Sequence, residues 1–442
     1  MTSELTDKRL LAEEVFLAGI NAVHPSRLIR KFIGQTEGGL IINNIILNVP
    51  GKILVTGAGK ASGAMAGGLE EVLGDNISEG HVIVKYGHSR PLKRIRITEA
   101  GHPEPDHNGF AGTKALIEIA KKAAEGDLLI CLMSGGGSSL LADYPEGASE
   151  EDMIIMNNLL VKCGASISEI NTVRKHLSNI KGGQLARIAY PATLVNLILS
   201  DVPGDDPAVI ASGPTVPDRT TFADAMAVIE KYRLRDKFPR SLISHLQKGI
   251  DGIIPDNPRN GDRIFERVHN IIIGNNAAAL SASAAKADEL GFETFIFENS
   301  LFADVETASK QIIEKALFYR NDENRRKPRC LLFGGETTLA VKGSGKGGRN
   351  QHLAMLCAKL LRRHTGITVL CGGTDGTDGP THAAGAVADN NTWTGAVLNR
   401  IDPEYYLENY DSFNFFREAG GHIITGPTFT NVMDIVVVLI SE

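Results

Sequence analysis

Lys52-Ile-Leu-Val-Thr-Gly57-Ala-Gly59-Lys60-Ala-Ser62 is the stretch whose reading decides the architecture. An apolar segment runs into two glycines, a lysine and the start of a helical pattern. A short continuous apolar run reads as a strand buried on both faces, and a glycine turn leading straight into a helix opens a βα unit. The same grammar recurs along the chain. His81–Lys85, Asp127–Met133 and Thr193–Leu199 read as strands in the first half, and Asn270–Ile273, Thr294–Phe297, Cys330–Phe333, Thr368–Cys371 and Ile435–Ile440 in the second. Helical spacing predicts helices over Leu10–Val23, Phe110–Ala124, Glu150–Lys162, Ala277–Glu289, Val305–Phe318 and Gln351–Leu361. Alternation of this kind predicts an α/β protein with mostly parallel sheets covered by helices.

Leu234–Arg267 breaks the pattern. It holds Pro239, Pro255 and Pro258 among charged residues and reads as a linker or domain junction. Two domains are therefore expected, 1–240 and 241–442, a size split that suits 442 residues.

Composition narrows the function classes. Hydrophobic residues make up 43% and charged residues 22%, the balance of a chain able to build cores. A net charge of -6 without a basic stripe argues against nucleic-acid binding. The opening Met1-Thr-Ser-Glu-Leu5 has no signal-peptide core, and no apolar run reaches a membrane span. The expected location is the cytoplasm. The five cysteines are single and widely spaced, which fits reduced thiols and gives no metal or redox spacing. The 47 glycines exceed the usual ~7% and are clustered.

Those clusters follow predicted strands, where α/β sheets collect ligands. Gly57–Ser62 with Lys60 suits an anion, because glycine lets backbone N–H groups approach and a helix N-terminus favours negative charge. It is not a Walker A loop, since Ala61 follows the lysine. A tight turn with a surface lysine is the competing reading. Ser134-Gly135-Gly136-Gly137-Ser138-Ser139 offers a second phosphate cradle of amides and hydroxyls. Arg174 and Lys181 suit a phosphate or carboxylate, or else a solvated helix face. Ser200-Asp201-Val-Pro-Gly-Asp205-Asp206 places Asp201 where a carboxylate holds Mg²⁺ or accepts a proton. Asp206 reads as a turn residue.

The second half carries Gly334-Gly335-Glu336-Thr-Thr338, then Lys346-Gly-Gly-Arg349-Asn350-Gln351, then Gly373-Thr-Asp375-Gly-Thr-Asp378-Gly-Pro380. Arg349 is expected to grip a carboxylate or phosphate through two donors. The two aspartates suit metal or hydroxyl contacts. His102, His176, His352 and His382 lack a metal-ligand spacing and read as structural or polar lining.

Taken in order with Glu99-Ala-Gly-His-Pro-Glu-Pro-Asp106, these blocks resemble the class II glycerate kinases, the glycerate 2-kinases with a MOFRL-type C-terminal domain. The resemblance spans nearly the whole chain. It implies a Rossmann-like N-terminal domain, a MOFRL-type C-terminal domain and an active site in the cleft between them. It implies ATP and a divalent cation such as Mg²⁺ as cofactors, and D-glycerate as acceptor. Members close to this pattern make 2-phosphoglycerate, as in the nonphosphorylative Entner–Doudoroff route. Lys60 and Arg349 match the positions proposed there as catalytic. Two departures are His352, where many members carry Glu, and His382, where many carry Asp.

The expected mechanism follows. Lys60, Gly59 and the loop Ser134–Ser139 hold ATP phosphates, aided by Lys346 and Asn350. Asp201, with Glu336 or Asp375, positions the metal or helps deprotonate the acceptor. Arg349 holds the glycerate carboxylate or the transferring phosphate, and closure of the halves excludes water. The competitors are an NAD(P)H-dependent hydroxypyruvate reductase and a non-catalytic nucleotide or sugar-acid sensor. The reductase needs a dinucleotide fingerprint that breaks at Ser62. A homodimer is left open.

Overall fold

A computed structural model describes residues 2–37, 39–323 and 325–441; Met1 of the opening stretch lies outside them. The chain forms two compact units, Pro25–Ile273 and Met1–His24 with Gly274–Glu442.

The first unit opens with a small antiparallel sheet of β1 (Ile33–Thr36), β2 (Gly39–Ile42) and β3 (Ile45–Leu47). The turn between β2 and β3 is Asn43-Asn44, both at positive φ (48° and 65°), the geometry of a two-residue hairpin that asparagine tolerates. The main sheet contains β4 (Ile53–Ala58), β5 (Ile77–Lys85), β6 (Ile95–Ala100), β7 (Leu128–Ser134), β8 (Thr193–Leu199) and β9 (Val268–Gly274) in the order β6-β5-β4-β7-β8-β9. The pairs β6/β5, β5/β4, β4/β7 and β7/β8 are parallel. Every residue of β4 and β7 is buried, as strands covered on both faces should be. The helix expected from Phe110 starts earlier, at His107, because Asp106 caps it: its carboxylate accepts from the Gly109 amide at 3.1 Å.

The second unit holds β10 (Glu293–Leu301), β11 (Arg329–Gly335), β12 (Ile367–Gly373), β13 (Gly385–Asp389), β14 (His422–Ile423) and β15 (Asp434–Ile440) in the order β10-β11-β15-β12-β13-β14. Here the expectation of a mostly parallel sheet fails. Only β10/β11 is parallel; β15 inserts antiparallel between β11 and β12, and β13 and β14 continue antiparallel. Asp434-Ile-Val-Val-Val-Leu-Ile440 is buried along its length. A strand buried on both faces is apolar throughout whichever way it runs, so its sequence carries no direction.

The helix Thr2–Ala22 belongs to this second unit. It packs on the helix Asn276–Glu289 and on β12 and β15. A methyl group on Gly19 would sit 3.0 Å from the Ala279 carbonyl oxygen, so the two helices touch backbone to backbone. Arg9 Nε also bonds Asp389 at 2.7 Å. No described helix is long and apolar enough to cross a membrane. All five cysteines are free, four of them buried.

The linker reading of Leu234–Arg267 is corrected. Arg240–Ile250 is a helix, and the division expected at residue 240 falls at its first residue, inside the first unit. Leu242 and Leu246 are 0% exposed and pack with Phe222, Met226 and Phe238. The prolines start and stop short elements there. Leu246→Ala should therefore lower the stability of this unit by about 2–5 kcal/mol, read from urea unfolding followed by circular dichroism. A change below about 0.5 kcal/mol, usual at exposed positions, would restore the linker reading.

Candidate active site

In the first unit, β4, β7 and β8 are neighbours and parallel, so the loops after them lie side by side. The loop after β4 is tied to the loop after β7. Lys60 N donates to Gly135 O at 2.9 Å, Ala61 N to Ser134 Oγ at 3.0 Å, and Ser62 Oγ to Leu132 O at 2.9 Å. Gly59 N donates to Ile83 O at 3.1 Å. The amides of residues 59–61 are thus engaged within the protein, which corrects the expectation that they face an anion. Glycine is needed at 59 for a different reason. Its φ is 145°, and a Cβ there would run into Ser134.

In the Ser134–Ser139 loop, the hydroxyl of Ser134 is taken by Ala61 N and that of Ser138 by Ser212. Gly136 sits in the left-handed region (φ 83°) and caps the short helix Gly137–Leu140, whose first amides precede any intrahelical partner. A Cβ on Gly136 would lie 2.8 Å from His102 Nε2. His102 is pushed down to about 4 by burial, and then by the charges of Lys60, Lys85 and His88. The imidazole is therefore neutral at pH 7 and shares its surroundings with a group of cations. The loop after β8 presses on the same place. Ser138 Oγ bonds Ser212 Oγ, and Ser212 Oγ donates to Asn171 Oδ1 at 3.0 Å. Ala211 and Ser212 hold positive φ (51° and 60°), a strained pair for residues with side chains. Asp201 is partly exposed just after the buried Ser200 at the start of that loop. Asp206 is a turn residue as expected, its Oδ1 accepting from Ala208 N at 2.9 Å.

In the second unit the register places Gly335 of β11 and Gly373 of β12 on either side of Asp434, the first residue of β15. Asp434 is 1% exposed. Arg349 Nε and Nη2 bond its two carboxylate oxygens at 2.6 and 2.9 Å, and Nη1 meets Glu336 Oε1 at 2.8 Å. Burial works against the guanidinium charge, yet Asp434 and Glu336 outweigh it and hold the pKa above its ordinary value. Arg349 was expected to offer a two-donor grip to substrate. That grip is taken by Asp434; of five N–H donors, two remain, one on each Nη. Sequence reading missed Asp434. Its signal was present, a lone carboxylate opening an otherwise apolar strand.

Asp378 is the second carboxylate with a structural task. Its Oδ1 accepts from Asn350 N at 3.0 Å and its Oδ2 from Gln351 N at 2.8 Å and Gln351 Nε2 at 3.0 Å. It thereby caps the helix Arg349–Leu361, where Gly348 has no side chain to do so. A Cβ on Gly348 would collide with that carboxylate. Burial pushes Asp378 up to about 6, the Gln351 and Asn350 amides pull it back, and the Asp434 charge adds to the push.

Asp375 accepts from Thr377 N at 3.0 Å and Thr377 Oγ1 at 3.1 Å. Lys346 Nζ stands 4.8 Å over the Phe413 ring. Asn350 is buried, with Oδ1 making no hydrogen bond among the described residues. His352 stacks on Tyr410 at 4.9 Å, is pushed down to about 4 by burial, and is structural as expected; His382 packs edge-on against Phe413. Among the described residues no three His, Cys, Asp or Glu side chains group as a metal site. A Mg²⁺ ion held by one carboxylate, phosphates and water needs no such group.

Two outcomes test this geometry. Arg349→Ala leaves Asp434 charged and buried without its partner. With Arg349 about a third exposed (34%), the expected loss is about 2–3 kcal/mol, below that of a fully buried pair. Arg349→Lys should recover only part of it, since an ammonium lacks the planar fork. Unfolding midpoints measure both; an Arg349→Ala variant as stable as wild type removes the structural role. For Asp378 the folded pKa lies above the ordinary carboxylate range. Between about pH 4 and 6 the folded protein keeps a proton that the unfolded chain has released. That stabilisation is complete below pH 4 and is lost as pH rises through 6. Asp378→Asn should flatten this part of the stability profile, whereas an unaltered slope argues that the carboxyl is already ionised.

Residues 11–247 match the family described as a domain of unknown function, DUF4147, and residues 329–434 match the MOFRL family. Glycerate 2-kinase of Pyrococcus horikoshii is 37% identical over 96% of this chain and 95% of its own length. A protein of Agrobacterium vitis with a provisional hydroxypyruvate reductase name is 39% identical over 90% of each chain. The crystal structure of glycerate kinase from Thermotoga maritima is 38% identical and superposes with a TM-score of 0.87, covering 99% of this chain and 100% of that one. The chain belongs to the glycerate kinase family in which a DUF4147 domain precedes a MOFRL domain.

Proposed function

We propose that this chain transfers the γ-phosphoryl group of ATP to the 2-hydroxyl of D-glycerate, releasing ADP and 2-phosphoglycerate. The observation that carries the reading is the junction of the β4 and β7 loops, which ties the backbone of Lys60 to the glycine-rich loop at Gly135, in a chain alike over 96% of its length to a glycerate 2-kinase.

Phosphoryl transfer asks a protein for in-line positioning and for positive charge around the moving group. Lys60 supplies that charge in the first unit. Gly136, Gly137 and Ser138 offer amides at the start of the short helix to phosphate oxygens. Asp201 holds the divalent cation through one carboxylate, or takes the acceptor proton. Mg²⁺ would neutralise phosphate charge when bound. In the second unit Arg349, held in place by Asp434 and Glu336, presents its two remaining donors. Glu336 thereby serves first as a partner of Arg349, and Asp375 first as a turn residue. Lys346 and Asn350 remain proposed phosphate contacts.

The reductase reading fares worse on the same loop. A dinucleotide turn binds pyrophosphate through backbone amides, and the amides of Gly59, Lys60 and Ala61 are occupied inside the protein. Phosphorus NMR of a mixture of the protein, Mg-ATP and D-glycerate should show 2-phosphoglycerate growing with ADP. Lys60→Ala should cut kcat/KM by about 100-fold or more, the scale of a lost charge contact at a transition state. NADH oxidation by hydroxypyruvate without ATP, or the absence of any phosphorylated glycerate, would overturn the proposal.

A further inference from the structure

Arg174 lies in the last turn of the helix Ile167–His176 and lines a small cavity in the first unit. Its one hydrogen bond among the described residues runs from Nε to Asn157 Oδ1 at 2.9 Å. Among the described residues no carboxylate pairs with it, and burial alone pushes its pKa down. This is the opposite of Arg349, which two carboxylates hold up. A second cation, Lys181, lines the same cavity and is 4% exposed. It donates to the Leu141 carbonyl and stands 3.5 Å from Asp143. Asp143 is itself committed: Oδ1 accepts from Ser178 Oγ at 2.6 Å and Oδ2 from Asn179 N at 2.5 Å. The lining therefore holds two cations and one carboxylate, and one positive charge is left without a counter-charge.

Arg174 is half-buried; a charge partly withdrawn from water without a counter-charge is costly, and proteins keep one where a ligand completes the pair. The cavity also indicates what kind of ligand. Ser138 and Ser139 of the glycine loop border it, so it adjoins the proposed phosphate cradle. Phe110, Met153 and Met156 give it an apolar wall. With about 20 Å³ of free volume, it admits one small polar group and not a nucleotide base. A single unbalanced charge suits a monoanion. Among the described residues neither Nη group has an acceptor, and a guanidinium with both Nη groups open matches a planar carboxylate.

We propose that Arg174, with Ser139 beside it, binds the carboxylate of the small hydroxy acid and so sets the acceptor specificity of the enzyme. This rests on the kinase reading given above. Lys181 and Asp143 form the neutral floor of the subsite. The acceptor hydroxyl is then presented from a carboxylate anchored in the same unit as Lys60, and Arg349 is not needed to hold it.

The test uses the full chain and the variants Arg174→Gln and Arg174→Met. Initial rates give KM for D-glycerate and for ATP separately, and calorimetric titration with D-glycerate alone gives binding without turnover. The expected result is a KM for D-glycerate raised by about 30-fold or more, the scale of a lost buried charge contact, with the KM for ATP within about twofold. The thermal midpoint of unliganded Arg174→Met should stay level or rise, because an uncompensated charge has been removed. A merely structural arginine would lower it. A raised KM for ATP with an unchanged KM for D-glycerate overturns the inference and assigns the cavity to a phosphate. Loss of kcat with both KM values unchanged also overturns it. Should wild type show no phosphoryl transfer, the kinase reading fails, and the titration then decides the cavity by itself: equal D-glycerate heats for wild type and Arg174→Gln, or none for either, end the proposal.

Discussion

Everything in both units depends on strand ends brought closer together than side chains permit. In the first unit the loop after β4 touches the loop after β7 because Gly57 and Gly59 present no Cβ to Leu132 and Ser134. In the second, Gly348 allows Asp378 to reach the amides of residues 350 and 351. Glycine in these loops thus serves contact between backbone segments. The loops are stiffened by this arrangement, which suits chemistry that depends on position more than on covalent participation.

Buried charge divides along the same line. Arg349 is paired with Asp434 and Glu336, and Lys181 with Asp143. Asp378 is balanced by helix amides. These groups fix loops. Arg174 has no counter-charge among the described residues of its unit. A sequence shows the charged residues in each loop but not which of them are already neutralised. That difference separates Arg349, the more conspicuous cation in sequence, from Arg174, the less conspicuous one.

Legibility followed local signals. Thr193–Leu199 and Glu150–Lys162 could be read to the residue, because an apolar run and a helix capped by Ser149 with Asp152 are written in adjacent positions. The hairpin at Asn43-Asn44 was legible and passed over. The direction of β15 was not, since its partners lie far off in the chain and both its faces are apolar. The helix Arg240–Ile250 was hidden by flanking prolines, which begin and end elements as readily as they mark linkers. Among the proposed site residues, Lys60 and the Ser134–Ser139 loop could be singled out from composition at strand ends. Asp434 could not be joined to Arg349 without the register of β15, and the engagement of the 59–61 amides needs the neighbouring loop.

The placement of the helix Thr2–Ala22 has a bearing on how the protein is made. A ribosome releases this helix before the first unit, yet its packing partners, the helix Asn276–Glu289 and strands β12 and β15, emerge only after that entire unit. Its apolar face, with Val15 and Phe16 fully buried in the finished protein, must wait uncovered through most of translation. Such delayed pairing across a whole intervening unit raises contact order and slows assembly. The nascent chain thus carries an exposed greasy segment that a chaperone could shield, and joining residue 24 more directly to residue 274 in a rewired gene would shorten that wait.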